Sequence, residues 1–289
     1  MKDGIATAAK TIQVDGIELA TEAFGDPSDP PVLLIMGAMA SMLWWPDEFC
    51  RQLAGNGRYV IRYDNRDTGL STTCESGHPA YTFDDMADDA VRVLDGYGIP
   101  AAHVVGMSMG GMIAQLAALD HPTRMLSLTA ISTSPVGTDT SHLPQTTEAY
   151  QEHSAQAEGL DWSDWQAVID FMVKDMRAVA GPALPFDEAA ARKFVERDYD
   201  RAKSFASAPN HFVLKGDKER GGRLPDLRLP LLVIHGTADP IFPIEHGEAL
   251  AQAVAGAKLV RLEGAGHELH EGHWPQIIAA VVEHSKRKA

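Results

Sequence analysis

A serine held between glycines, Gly106-Met107-Ser108-Met109-Gly110, follows the short apolar run Val104-Val105 and leads straight into the helix-forming run Ile113 to Leu119. Strand, tight turn and helix in that order make a nucleophile elbow, which exposes the serine hydroxyl at the carboxyl end of a strand. Gly106 and Gly110 carry no Cβ, so backbone can pass close to backbone around a strained residue. The competing interpretation is an ordinary glycine-rich turn with a surface serine. A serine nucleophile needs a base to take its proton and a carboxylate to orient that base. Asp239, in Thr237-Ala238-Asp239-Pro240, and His267, after Gly264-Ala265-Gly266, are the candidates. Each stands just past the carboxyl end of an expected strand, and in an open parallel sheet those ends converge on one crevice. Asp239 also suits a plain turn. His270 and His273 are the nearby alternatives to His267, but they fall on a segment expected to be solvated. No acid follows the preceding strand, where Ser132-Thr133-Ser134-Pro135 carries none.

The elements that must position these residues are legible from apolar patterning. Thr11 to Val14 and Ile17 to Phe24 flank Asp15-Gly16, a two-residue hairpin signal. Val32 to Met36 is a continuous apolar run, as expected of a strand covered on both faces. Tyr59 to Tyr63, Ala102 to Gly106, Met125 to Ile131, Leu229 to Ile234 and Lys258 to Leu262 read as further strands. Helices are expected from Pro46 to Leu53, from Thr82 to about Leu94 with Thr82 and Asp85 capping, from Ser108 to Leu119, from Ile244 to Val254 and from Pro275 to about His284. Strands alternating with helices mean a doubly wound, mostly parallel sheet. Between Pro135 and Pro225 the alternation gives way to helical signals over 146–157, 162–179 and 187–199, with Ser163 and Gln166 expected to cap the second. The chain therefore divides into a core, 1–134 and 226–289, and a helical cap, 135–225, over the carboxyl edge of the sheet.

Composition narrows the partners. The 289 residues carry 25 Lys plus Arg against 40 Asp plus Glu, a formal net charge of −15 that disfavours nucleic acid and anionic membrane surfaces. Two cysteines, Cys50 and Cys74, indicate a reducing compartment without a disulfide framework. The stretch Met1 to Lys10 has no apolar core of the signal-peptide kind, and no apolar run is long enough to span a bilayer. A cytoplasmic enzyme, monomer or homodimer, is the expectation. No histidine spacing suits a metal, and no phosphate loop or dinucleotide fingerprint is present, so no cofactor is required.

Over essentially its whole length the sequence resembles serine esterases of the α/β-hydrolase fold, and within them aclacinomycin methylesterase and its relatives. The match is carried by Met36-Gly37, Trp45-Pro46-Asp47-Glu48-Phe49, Val60 to Asp64 with Arg66-Asp67-Thr68-Gly69, and Ala102 to Gly110. The resemblance implies an eight-stranded sheet with a helical cap, Ser108 as nucleophile, Asp239 as acid and His267 as base. It implies an oxyanion hole made by the backbone N–H groups of Met109 and Ala38, although many relatives have His-Gly where this chain has Met36-Gly37. It implies a small to medium neutral ester substrate, with methyl esters of aromatic polyketide-like compounds as the specific class. Met39, Trp44, Trp45, Met107 and Trp165 are the expected apolar contacts to substrate, and Arg66, Asp67 and Ser71 an ion-paired brace. Lactone hydrolysis, carbon–carbon bond hydrolysis and cofactor-free perhydrolysis suit the same triad. A non-catalytic binding protein on this fold would show a broken triad, and every member is present.

Overall fold

The computed structural model describes residues 9–216 and 222–286. Residues 1–8 of the stretch assessed for a signal sequence, Arg287-Lys288 of the basic tail, and part of the 135–225 segment fall outside them. Eight strands form one sheet: β1 (Lys10–Val14), β2 (Ile17–Phe24), β3 (Pro31–Ile35), β4 (Tyr59–Tyr63), β5 (Ala102–Met107), β6 (Met125–Ile131), β7 (Leu231–Gly236) and β8 (Lys258–Leu262). Their spatial order is β1-β2-β4-β3-β5-β6-β7-β8. The β1–β2 hairpin turns at Asp15 (φ 51°) and Gly16 (φ 81°), the two left-handed residues a tight hairpin requires. Pairing is antiparallel through β2–β4 and parallel from β4 to β8.

The order contains one reversal that matters. From β3 the chain crosses to β4 on one side, then returns past β3 to lay β5 on the other. The connections leaving β3 and β5 therefore diverge, and a crevice opens between the carboxyl ends of these two neighbours. The segment after β3 and the serine turn after β5 meet there.

Strand alternation sorts the core into two layers. Leu33 and Ile35 of β3 and Val104 of β5 pack with α2 (Phe83–Gly96), α3 (Met109–Asp120) and α7 (Ile244–Ala253). Val32, Leu34, Val105 and Ile234 face the other way, onto α1 (Asp47–Gly55) and α8 (Trp274–His284). The expected capping box is present at the start of α2: Thr82 Oγ1 accepts from the Asp85 N–H at 3.2 Å, and Asp85 accepts from the Thr82 N–H at 2.9 Å.

Between β6 and β7 run α4 (Glu148–Ser154), α5 (Trp165–Val179) and α6 (Glu188–Arg201), followed by a 3₁₀ segment over Phe205–Phe212. They enclose a third apolar cluster built on Val168, Ile169, Met172, Val173, Val195 and Phe205. The start of α5 differs from the sequence expectation. Ser163 closes a local turn on Asp161, its N–H and hydroxyl both donating to Oδ1, so the cap passes to Asp164, which accepts from the Ala167 N–H at 3.0 Å. Among the described residues no helix is long and apolar enough to cross a membrane.

The join between β3 and α3 is among the tightest points. A Cβ added to Gly110 would lie 2.2 Å from the Ile35 carbonyl oxygen, a distance no side chain occupies without backbone movement. Gly110→Ala should destabilise the protein by about 1–3 kcal/mol, the range for overpacking. Gly55→Ala, at a site with open space around it, should be neutral or slightly stabilising. Thermal unfolding of the two variants beside the parent checks both outcomes.

Candidate active site

The turn after β5 holds Ser108 at φ 53° and ψ −125°, a conformation rare for a residue with a side chain. Three groups fix it: the Ser108 N–H donates to the Ile131 carbonyl at 2.9 Å, and its carbonyl accepts from the Gly111 N–H at 2.9 Å and the Thr133 hydroxyl at 2.8 Å. The serine is half-buried, with its side chain at the mouth of the β3–β5 crevice. Met109 is the first residue of α3, so its N–H is one of the donors that an α-helix leaves without an intrahelical acceptor. The positive end of the helix dipole points the same way.

The segment after β3 packs against the serine. A Cβ built on Gly37 would lie 3.0 Å from Ser108 Cβ and 3.5 Å from its Oγ, so this backbone passes as near the hydroxyl as it can. Ala38 follows, and Met39 then turns the chain at φ 62°. That turn is held from a distant element: the Met39 N–H donates to His211 Nδ1 at 2.9 Å, and His211 Nε2–H donates to the Arg66 carbonyl at 2.7 Å. Because an N–H can only donate and a carbonyl only accept, the partners fix the tautomer. Burial pushes the His211 pKa down, which keeps the ring neutral as this arrangement needs; the Arg66 carbonyl opposes it. Arg66 is itself clamped to Asp89 by bonds of 2.7 and 2.8 Å.

Farther along the same segment, Ser41 Oγ and Trp44 Nε1 (2.8 Å) both donate to Asp198 of α6. The Met42 N–H donates to Asp64 at 2.7 Å, and Asp64 pairs with Arg201 at 2.8 Å. Burial lifts the Asp198 carboxyl to about 6 against the pull of those two hydrogen bonds. Asp67 accepts from Tyr81 Oη, Asn210 Nδ2 and the Cys74 N–H, and Ser71 ties the loop to β2 through the Ala20 N–H. This loop is thus a buried brace, with Arg66 ion-paired to Asp89.

Asp239 and His267 come together from two turns at the carboxyl edge. One Asp239 oxygen accepts the N–H groups of Ile241 and Phe242, each at 2.9 Å, and the other accepts His267 Nδ1–H at 2.8 Å. With Nδ1 committed as a donor, Nε2 carries the lone pair that takes up protons. Burial alone would raise the Asp239 pKa, but the charge and hydrogen bond of His267 outweigh it and hold the carboxyl below its usual range. Burial likewise works against the His267 cation, and the Asp239 charge and hydrogen bond hold its pKa above the ordinary value. His235 lies 3.5 Å from Asp239 and is locked by a 2.7 Å bond from Nε2–H to the Phe242 carbonyl. The His267 N–H donates to the Val179 carbonyl at 2.8 Å, and the Phe242 ring meets the imidazole edge-on at 5.8 Å.

The expected apolar contacts divide. Met39 and Trp44 lie at the junction of the β3 segment with the helical cluster, Trp44 edge-on to Phe194 at 5.0 Å. Trp45 does not reach the site: Pro46 caps the start of α1 directly after it, and the indole is fully buried 5.6 Å from Phe49 under the sheet. Met107 also points away, because alternation in β5 puts it on the α1–α8 face with Val105. Trp165 is 39% exposed at the outer start of α5, its indole donating to Asp200 at 3.1 Å. His270 caps a 3₁₀ turn over Glu271–His273, accepting from the Gly272 N–H. Sequence reasoning missed His211 and Asp198, whose partners lie 172 and 157 positions away, and no local pattern marks either.

Comparison with known proteins agrees with this fold. The family model for the alpha/beta hydrolase fold matches residues 30–273. Rhodomycin D methylesterase DnrP of Streptomyces peucetius is 34% identical, the alignment covering 96% of this chain and 98% of the relative. Among solved structures, an esterase from Exiguobacterium antarcticum superimposes with a TM-score of 0.77 at 24% identity, over 96% of this chain and 99% of that one. The enol-lactonase of Burkholderia xenovorans LB400 gives 0.72 at 24% identity, over 95% and 99%.

The electrostatics of the pair are directly measurable. Imidazole NMR should place the His267 pKa above 6.5, and Asp239→Asn, which removes the stabilising charge, should move it down.

Proposed function

The chain belongs to the alpha/beta hydrolase fold family and hydrolyses carboxylic esters, and from that premise we propose that it works through an acyl-enzyme on Ser108, with His267 as base and Asp239 as the orienting acid. The observation that carries this reading is the 2.8 Å bond from His267 Nδ1–H to Asp239, which leaves Nε2 as the proton acceptor. Ser108 Oγ attacks the ester carbonyl carbon while His267 Nε2 takes its proton. The oxyanion that forms is met by the N–H groups of Met109 and Ala38, aimed there before reaction begins. As the tetrahedral adduct collapses, His267 returns the proton to the leaving alcohol. Water then repeats the sequence on the acyl-enzyme, and the acid departs. Asp239 remains ionised throughout, and its lowered pKa suits that role.

Full-length similarity to a rhodomycin D methylesterase supports methyl esters of aromatic polyketide-like compounds as the substrate class. The helical segment 135–225 would form the cap over such a ligand, its apolar cluster reaching Met39 and Trp44. Two free thiols, Cys50 and Cys74, suit a reducing, cytoplasmic setting.

Two experiments test the reading. Ser108→Ala should lose on the order of 10³ or more in kcat on p-nitrophenyl acetate and butyrate, and a fluorophosphonate should label Ser108 in the parent. Equal hydrolysis by both proteins, with no label on Ser108, would remove the serine mechanism. His211 orients the Ala38-Met39 turn without touching substrate. His211→Ala should therefore lower kcat by on the order of 10² while KM holds, and His211→Asn, which can still accept from the Met39 N–H, should recover part of the loss. Because only neutral imidazole accepts the proton, kcat/KM should rise with pH through a midpoint above 6.5. In Asp239→Asn that midpoint should fall, along with the rate.

A further inference from the structure

Above His267 lies a polar cluster with no part in the steps just described. The segment leading into α4 docks on the Asp239 loop, the N–H of its N-cap Thr147 donating to the Pro240 carbonyl at 2.8 Å and the Thr146 hydroxyl to the Ile241 carbonyl at 3.0 Å. The last turn of α5 docks on the other loop through the bond from the His267 N–H to the Val179 carbonyl. Asp175 stands one helical turn before Val179, on the same side of α5. From α4, Tyr150 and His153, three positions apart and so also on one side, reach it: Tyr150 Oη–H and His153 Nε2–H both donate to Asp175 Oδ1 at 3.1 Å. His153 is steadied by stacking on Phe171 at 5.1 Å.

Both bonds fall on one carboxylate oxygen. Oδ2 takes none from the described residues, and the side chain is 23% exposed. A carboxylate oxygen has room for two donors, and Oδ2, open to solvent here, is costly to leave unfilled only when a bound ligand excludes water from it. Burial raises the Asp175 pKa against the Tyr150 and His153 bonds, and the His267 charge lowers it. Asp175 and the imidazole are therefore within electrostatic reach of each other.

We propose that Asp175, fixed by Tyr150 and His153, is a specificity-determining residue whose free oxygen binds a hydrogen-bond donor, hydroxyl or ammonium, carried by the ester substrate close to its scissile group. This rests on the ester-hydrolase mechanism above. An ammonium gains charge as well as a hydrogen bond. An apolar substituent leaves Oδ2 unsatisfied, and a carboxylate meets like charge. A site built to bond a donor rejects the analogue lacking it far more strongly than an apolar pocket rejects one methylene.

The test compares kcat/KM for methyl butyrate, methyl 3-hydroxybutyrate, methyl 3-aminobutyrate and monomethyl succinate. The parent should favour the hydroxy and amino esters over methyl butyrate by about tenfold or more, with monomethyl succinate slowest. Asp175→Asn keeps shape and acceptor but not charge, so it should lose the added preference for the amino ester and retain part of that for the hydroxy ester. Asp175→Ala should bring both ratios toward one. Flat ratios in the parent, no turnover of any of the four, or an equal loss on all four in the variants would overturn the proposal. Should Asp175→Ala melt below assay temperature, the isosteric Asn variant decides. Fluorophosphonate labelling of Ser108 in every protein separates the two readings. Labelled protein with flat ratios sinks donor recognition alone, whereas unlabelled protein that still hydrolyses sinks the serine mechanism beneath it.

Discussion

Ser108 holds φ at 53° because the ends of two neighbouring strands, β6 and β3, grip its turn at once. Its N–H is bonded to the end of β6, its carbonyl accepts from Thr133 just beyond that strand, and the glycine two residues on lies against the end of β3. A residue with a side chain resists this conformation, so the surroundings must over-determine it. Parallel pairing of β3, β5 and β6 provides that, since it brings three carboxyl ends to one level. The same level sets the other parts. Gly37 can lie beside the hydroxyl only because β3 stops beside β5, and the Asp239 and His267 turns arrive at the same edge because β7 and β8 extend the parallel run.

The helices between β6 and β7 are bonded into that edge rather than laid over it. α5 accepts the backbone N–H of His267, α4 donates to the Asp239 loop, α6 holds Ser41 and Trp44 through Asp198, and the following 3₁₀ segment fixes Met39 through His211. The four pieces meet three catalytic-edge loops, two of the pieces gripping the loop after β3. A rigid movement of the whole segment would break several buried hydrogen bonds together, each worth about 0.5–1.5 kcal/mol net, and more where a carboxylate is involved. Access to the crevice is therefore easier by small rearrangement of side chains than by lifting the helices as a unit.

Much of this was legible in the chain itself. Apolar runs that end in glycine located the strands, the Asp15-Gly16 signal located the hairpin, and Thr82 with Asp85 located a helix start. Asp239 and His267 could be singled out because each follows a strand of the parallel set, and topology supplies the proximity that sequence distance conceals. Reasoning from nearness in sequence failed where direction matters. Trp45 neighbours Trp44 but is swung beneath the sheet by the start of α1, and Met107 neighbours Ser108 but alternates onto the opposite face. The turn at Asp161 took Ser163 away from its expected cap for a local reason, competition between a side-chain turn and the helix. His211 and Asp198 left no signal, since a polar residue in a helical region looks the same whether it faces water or a loop 172 or 157 positions earlier.

The bond between His211 and the Met39 N–H has a consequence for exchanging parts among relatives. In this fold the helical segment is the natural unit to swap when a new substrate pocket is wanted, and its two ends sit at β6 and β7. Here that unit carries half of a hydrogen bond whose other half shapes the turn beside the nucleophile. A graft chosen for pocket shape alone would leave a buried amide without its acceptor and a left-handed residue without its anchor. The transferable module is thus the helical segment together with the Met36–Trp45 loop that it holds.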